Sequence, residues 1–530
     1  MTKIKKHYLE IIFFVLFVVT RIPDLGHDVF NTDVWKWKAR TYDFGTGVFT
    51  LDFEKTIQKY HPGVTLMWLG TFAVKAYNLY ASLSKDNSLT EGLGLIFGLH
   101  FTQKLFVTFA IGFSLSVAFY VLRSLFGLKY ALISAAFLVL DPFYIGLTRV
   151  FHLEGLMSSF MLSSFLLFYW FLKERKTGRL IYSGIFAGLA ILTKTSAVYM
   201  IPFFGLALLM DFLMTGRKSL GKYVKALVFV VFITLLTFVI LWPAMWTYPL
   251  KALNELYRGV FSVGVEQDHE QFYYGKFVGD PGVSFYFVVL ALKSSVYLIP
   301  GLVGYAFVRK RMNKDEKRFV LFCFAFAAFY FVQLSIPSKK LDRYILPSLI
   351  ALILISSFFY YKLIDGLKKT YYAALVLLFL PAAFFMVRLH PDYFAYYSPY
   401  FGGLKKGIFV IEPKWMFGQR EIIEALRTID PPFVFSTFSE NIDALGERDL
   451  SERRVVGFQE KYYTQIWPFV KESGMIPVIA SLTPHANKAE FFVYPVWDDS
   501  SHLENRFSLK LVKPVYFNDA EVYRIYQKIN

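Results

Sequence analysis

The densest chemistry in the chain lies in Asn31-Thr32-Asp33-Val34-Trp35-Lys36-Trp37-Lys38-Ala39-Arg40. If a helix is entered through Asn31 or Thr32 as its cap, Asp33 falls in its first turn. Lys36 and Arg40, three and seven positions on, then share its face. One carboxylate over a ladder of cations suits a base beside a bound anion. The plain alternative is an interfacial helix, with Trp35 and Trp37 in an aromatic belt and the charges in water.

Further groups of the same kind stand at the ends of apolar runs. Arg149, His152 and Glu154 lie within six positions. Lys194 ends Leu192-Thr193-Lys194, and Lys339, Lys340 and Arg343 crowd one short loop, with Tyr344 following. Cations at membrane depth are costly unless they meet an anion. Three separate loops offering them imply one anionic ligand, and a lipid phosphate fits; snorkelling to head groups is the alternative. Arg149, Lys194, Lys340, Arg343 and Tyr344 are therefore candidates for holding a phosphate. His61 (in His61-Pro62-Gly63), His152, and His269 and Tyr273 (in the stretch 268–275) are candidates for orienting a substrate. No dense carboxylate or histidine cluster demands a metal, although Asp33 and Glu154 with His269 could share a divalent ion.

The elements that position these residues are membrane helices. Of 530 residues, 55% are hydrophobic and 19% aromatic, more apolar surface than a soluble protein needs. Repeated runs of about 20 apolar residues make a polytopic α-helical membrane protein. Eleven spans are expected at roughly 8–24, 103–122, 129–146, 155–172, 180–196, 198–214, 225–243, 284–307, 318–335, 345–361 and 370–388. The single cysteine, Cys323, excludes an intramolecular disulfide and a cysteine metal site. The first run lacks a small-residue cleavage site and reads as a retained anchor. The net charge of +17 resides largely in short loops, so topology explains it better than nucleic acid does. Those basic loops mark the cytoplasmic side, leaving the N-terminus inside and, after an odd number of spans, the C-terminus outside.

The chain divides into a membrane part, 1–388, and an extracytoplasmic α/β domain, 389–530. The first outer loop, 25–102, holds Leu66 to Leu83, an apolar stretch broken by Lys75 and Asn78 that suits an interfacial helix. In the tail, Phe433 to Phe435 and Ile476 to Ile479 alternate as strands do. Leu509 to Phe517, Asn518-Asp519 and Val522 to Tyr526 read as a hairpin. Helical periodicity marks Glu421 to Arg427 and Tyr462 to Lys471.

These motifs together resemble a family. Asp33 with His61-Pro62, Arg149 to Glu154, Gly188 to Lys194, His269 to Gly275, Ser338 to Pro347 and His390 to Pro399 occur in the order and sidedness of GT-C glycosyltransferases. The type is that of the protein mannosyltransferases and aminoarabinose transferases, and the resemblance covers roughly 1–420. It implies transfer of a sugar, a mannose-like hexose or a relative, from a polyprenyl-phosphate donor. The acceptor would be a hydroxyl of a protein, lipid or glycan at the outer face of the cell membrane. It also implies that Asp33 is the catalytic carboxylate and Glu154 the second acidic position. The sequence departs from the family pattern at two points: Asp33 is followed by Val34 rather than a second acid, and Glu154 stands where Asp is common.

The chemistry agrees. A sugar phosphate carries its own leaving group, so one carboxylate must deprotonate the acceptor and cations must hold the departing phosphate. Displacement from the opposite face inverts the anomeric centre. The rival reading is a transporter or flippase for an anionic lipid-linked substrate. It expects broken spans in two matching halves, which this sequence does not show.

Overall fold

The computed structural model describes residues 7–529 apart from 60, 217–218, 260–269, 368–369, 430–453 and 499–506. The apolar runs form helices, and the chain is a multi-pass membrane protein. Six helices are long and apolar enough to cross a membrane: Gly92–Phe126, Leu153–Glu174, Thr195–Thr215, Leu220–Leu241, Lys314–Ser335 and Asp342–Ile364. Counting two bent pairs as one span each gives up to eight: Leu128–Val139 with Pro142–Thr148, bent 69°, and Phe285–Lys293 with Leu298–Arg311, bent 96°. Tyr8–Val19, Thr177–Thr193 and Ala373–Arg388 are apolar but shorter. Each of the eleven expected segments thus falls on a helix or a bent pair. The first bend falls at Asp141-Pro142, where proline cannot donate a backbone hydrogen bond to the preceding turn and Asp141 caps the new helix through the Tyr144 N–H.

Leu153–Glu174 is the centre of the bundle, with its apolar window wholly buried. Its small polar residues let neighbours approach closely and pair across the helices. The Ser114 hydroxyl donates to the Ser159 carbonyl at 2.8 Å, and the Ser164 hydroxyl to the Ser183 carbonyl at 2.8 Å. The Glu154 end of this helix therefore has a fixed position.

The Val64–Ser84 helix is not among those apolar enough to span, as its Lys75 and Asn78 led us to expect. It packs beside Val34–Phe49, whose N-cap is Asp33 itself. The expected cap was one or two residues earlier. Asn31 does act there, but by accepting the Asp33 N–H at 3.0 Å. The first loop is also shorter than 25–102, because the 35-residue helix Gly92–Phe126 begins some ten residues before the expected span.

In the tail, a five-stranded sheet has the order β4-β3-β5-β7-β6. The strands are β3 (Val455–Phe458), β4 (Ile476–Ile479), β5 (Phe491–Pro495), β6 (Leu509–Phe517) and β7 (Ala520–Lys528); β1 (Gln271–Tyr273) and β2 (Lys276–Val278) form a separate hairpin. β3 runs parallel to β4 and β5, while β7 is antiparallel to β5 and β6. The expected hairpin is β6–β7; Asn518 and Asp519 both take positive φ, as a tight turn between twisted strands requires. Helices Gln419–Arg427 and Glu460–Glu472 fall where periodicity placed them. The stretch Phe433 to Phe435 lies outside the described residues. The tail is clasped to the first loop: the Trp35 indole N–H donates to the Thr464 carbonyl at 2.7 Å, and its ring lies 5.2 Å from that of Trp467.

Candidate active site

A cavity of about 360 Å³ collects side chains from five separated stretches of chain. The first loop supplies Asp33, Lys36, Arg40, Lys59 and His61; the start of the central helix supplies His152 and Glu154. Lys194, then Lys339, Arg343 and Tyr344, and finally Lys414 complete it. Seven cationic side chains thus face two carboxylates in one cavity, the composition of an anion site.

Local structure explains the positions. Asp33 ends an irregular segment and opens its helix, so Lys36 returns beneath it at 3.7 Å. Gly63 has φ +59, and a Cβ there would sit 2.2 Å from the Trp37 ring. Only glycine permits both the left-handed backbone and the approach of Trp37, which holds His61 beside the Val34–Phe49 helix. Trp37 is buried rather than part of an aromatic belt, and the Arg40 guanidinium stacks over it at 4.7 Å. Glu154 stands in the first turn of its helix, where the helix dipole favours an anion. A Cβ on Gly155 would meet the Leu147 carbonyl at 2.3 Å, so the glycine lets that turn close.

The two carboxylates differ in their surroundings. Glu154 is buried, with a side-chain exposure of 1%. It accepts from Lys194 at 2.8 Å, from Arg343 at 3.2 Å and from the His152 ring Nδ1. Asp33 is 34% exposed and faces His152 Nε2 at 3.5 Å. His152 therefore bridges the acids, one ring nitrogen to each. Burial alone would depress the His152 pKa, but the Glu154 charge and the contacts to both acids raise it above the ordinary value. Burial alone would raise Asp33, but the His152 hydrogen bond and charge, with Arg343 and Lys36, hold it well below the usual carboxylate range. His61 goes the other way: burial and the Lys194 charge push its pKa well below the ordinary value. The Lys194 ammonium lies 3.8 Å over the Tyr344 ring, and Arg343 lies 5.1 Å from the Trp415 ring. Arg343 Nη1 is buried with no hydrogen-bond partner among the described residues, and a buried donor of that kind calls for an acceptor.

The bridging proton makes stability depend on pH. The folded protein holds the His152 proton more tightly than the unfolded chain does. The stabilisation is full below the ordinary histidine value of about 6.5 and is lost as pH rises through the raised one. The melting temperature of the protein should therefore fall with rising pH above neutrality more steeply than that of His152→Gln. Parallel pH profiles from scanning fluorimetry would remove the bridging proton.

Not every expected residue comes here. Arg149 is turned away: it binds Asp28 at 3.1 Å and donates to the carbonyls of Arg21 at 2.8 Å and Pro23 at 2.7 Å. Its guanidinium is satisfied by the chain that enters the first loop. Lys340 also points elsewhere, to Asp280 at 2.7 Å and the Pro337 carbonyl at 2.6 Å. Tyr273 lies in the β1–β2 hairpin and contacts the Ser284 hydroxyl at 3.1 Å. That hairpin acts indirectly, because Gln271 donates to the Ser338 carbonyl at 3.1 Å and accepts the Lys340 N–H, pinning the loop that carries Lys339 and Arg343. His269 lies outside the described residues. Lys59, Lys339 and Lys414 were not among the sequence candidates. Lys339 carried the same signal as Lys340; Lys414 could have been found as a cation beside Trp415 shortly after the last apolar run. Among the described residues no group of three or more His, Cys, Asp and Glu forms a metal site.

Among curated proteins none matches the chain by sequence. Similar solved structures include ArnT from Cupriavidus metallidurans bound to undecaprenyl phosphate, 15% identical over 97% of each chain with a TM-score of 0.48. The Archaeoglobus fulgidus oligosaccharyltransferase tethered with an acceptor peptide is 13% identical, over 93% of this chain and 69% of that one, with a TM-score of 0.47. Residues 89–242 match the family described as dolichyl-phosphate-mannose-protein mannosyltransferase. That stretch holds two of the motifs, Arg149 to Glu154 and Gly188 to Lys194, and its match bears out their resemblance to GT-C glycosyltransferases, enzymes of the sugar-transferring type.

Proposed function

We propose that the chain transfers a sugar from a polyprenyl-phosphate donor to an acceptor hydroxyl, with inversion, Asp33 acting as base. The observation that carries this reading is the cavity itself: its accessible carboxylate, Asp33, stands among seven cations. A phosphate leaving group needs cations that meet its growing charge; Arg343, with an unsatisfied donor, and Lys194 are in place to supply them. Lys36, Arg40 and Lys339 face the same space. In the step itself, the acceptor oxygen bonds to the anomeric carbon as its proton passes to Asp33. The bond from that carbon to the phosphate oxygen breaks with its electron pair on oxygen.

Asp33 is a weak base while its cationic neighbours face it alone. A bound phosphate neutralises Arg343 and Lys36 and adds negative charge, both of which raise the Asp33 pKa. The base thus strengthens when the donor arrives. Glu154 serves as the anchor that holds His152, Lys194 and Arg343.

The test is reconstitution of the purified protein in vesicles with a polyprenyl-phosphate-linked sugar labelled in the sugar. Release of the polyprenyl phosphate with transfer of label is the expected result. Movement of the intact donor across the bilayer without cleavage would replace the enzyme with a transporter.

The cavity belongs, in this reading, to the outer face, with the N-terminus inside and the segment from His390 outside. The basic residues at Lys173 to Arg179 and Arg309 to Arg318 lie at the opposite ends of the helices that reach the cavity, in keeping with that orientation. Reporter fusions near Lys176 and near Asn530 should lie on opposite sides of the membrane. A common side for both sinks the orientation.

A further inference from the structure

A second cavity, of about 930 Å³, lies far from Asp33, at the opposite end of the Lys314–Ser335 helix. That helix has 22 residues and spans about 33 Å at 1.5 Å per residue. The cavity is a groove between helices, and its walls are graded. Along Lys314–Ser335 the lining residues are Lys314, Asp315, Lys317, Arg318, Val320, Leu321 and Phe324, a face with three cations and one acid at its start that passes to apolar side chains within three turns. The facing wall, Leu302, Tyr305 and Arg309, runs the opposite way in sequence. Its cation therefore comes to the same end, since the chain turns back between the two helices.

The acids at this end, Asp315 in the groove wall among them, are each paired with a cation. Asp315 pairs with Lys173 at 2.8 Å, and Glu316 closes the cap with Asn313 and binds Lys362 at 2.8 Å. Asp211 is taken by Arg318, Arg175 and Tyr223. Arg318 Nε remains buried with no hydrogen-bond partner among the described residues. Leu321 and Phe324 are exposed, at 43% and 58%. A helix that crosses the membrane exposes apolar side chains to bulk lipid in any case; what sets this place apart is a groove walled on its other sides by Leu302, Tyr305, Leu352 and Ile355, which suits a single amphiphile with an anionic head.

We infer that this groove binds one anionic glycerophospholipid. Its phosphate sits among Arg309, Lys314, Lys317 and Arg318, and an acyl chain lies along Leu321 and Phe324. Basic pockets between helices on the positively charged side of membrane proteins hold anionic head groups in this manner. The inference does not depend on the sugar-transfer reading.

The experiment is native mass spectrometry of the full chain, delipidated in detergent and titrated with phosphatidylglycerol or phosphatidylcholine of equal chain length. The protein should retain one phosphatidylglycerol in preference to phosphatidylcholine. Lys314→Glu/Lys317→Glu should weaken that binding by roughly tenfold or more, since each basic residue near an anionic head group matters at about the 1 kcal/mol level. Phe324→Trp, which fills the slot and leaves every charge in place, should weaken it as well. Lys222→Glu/Lys225→Glu, exposed at the start of Leu220–Leu241 and outside the groove, should not. Equal retention of the two lipids, or equal loss in the Lys222/Lys225 variant, would overturn the proposal in favour of diffuse surface charge. Displacement of the lipid by inorganic phosphate alone would overturn it in favour of a free-anion site.

Discussion

Asp33→Asn keeps donor binding and cuts sugar transfer by roughly 10²–10⁴, the range that a positioned general base supplies. The substitution preserves shape and one hydrogen-bonding oxygen while removing the charge that accepts the proton. Glu154 still holds His152 from the other side, so the fold should tolerate it. Glu154→Gln is the informative contrast. A residue that only orients a substrate would give a mild variant. The structure gives Glu154 three cationic partners in a buried setting. Removing one member of a buried ion network typically costs about 3–5 kcal/mol, so this variant should lose melting temperature as well as activity. Donor binding, single-turnover transfer and thermal unfolding on the same preparations separate the two outcomes. Near-normal turnover in Asp33→Asn would shift the base to another group.

The second large effect distinguishes two neighbouring cations. Arg343→Gln should raise the donor Kd by about tenfold to a hundredfold, the equivalent of roughly 1.5–3 kcal/mol for a hydrogen bond to a charged group. Lys340→Gln should leave donor affinity nearly unchanged, because its ammonium is spent on Asp280 and a carbonyl. Charge reversal at 343 should cost more than neutralisation, since it sets a second carboxylate against Glu154. Titration of each variant with a polyprenyl phosphate lacking the sugar gives the affinities directly. Equal losses in both, or none in either, would mean that the phosphate lies elsewhere.

The sequence disclosed the bundle because hydropathy and loop charge are set by the bilayer, a solvent that leaves a long, regular mark. It also led to the expectation that charges on separate loops come together; Asp33, Glu154, Lys194 and Arg343 do meet. It could not say how each charge is spent. Arg149 and Lys194 look alike as cations at span ends, but Asp28 lies beside the first and Glu154 beside the second. Which acid meets which base depends on packing between distant segments. Lys339 and Lys340 differ by one position, but Asp280 and the Pro337 carbonyl draw the second away from the cavity while Gln271 pins the loop backbone. His152 was legible as polar and nearby, but its place between two acids needs three-dimensional distances. Helix ends were displaced for a simpler reason: Gly92–Phe126 begins before the expected span, and there Phe97 and His100 are buried against Phe469 and Phe30 of distant segments.

Lys414 and Trp415 reach the Asp33 cavity from beyond the last membrane helix, and Trp35 fastens the tail from below. A seam at residue 389 is therefore a change of surroundings and not a line along which the protein can be cut. Grafting this tail onto another bundle, or exchanging it for a foreign one, replaces part of the wall that the reacting groups see. Cassette-style engineering has to carry both residues 410–420 and the Glu460–Glu472 helix with the bundle, since the first loop is fastened to that helix through Trp35.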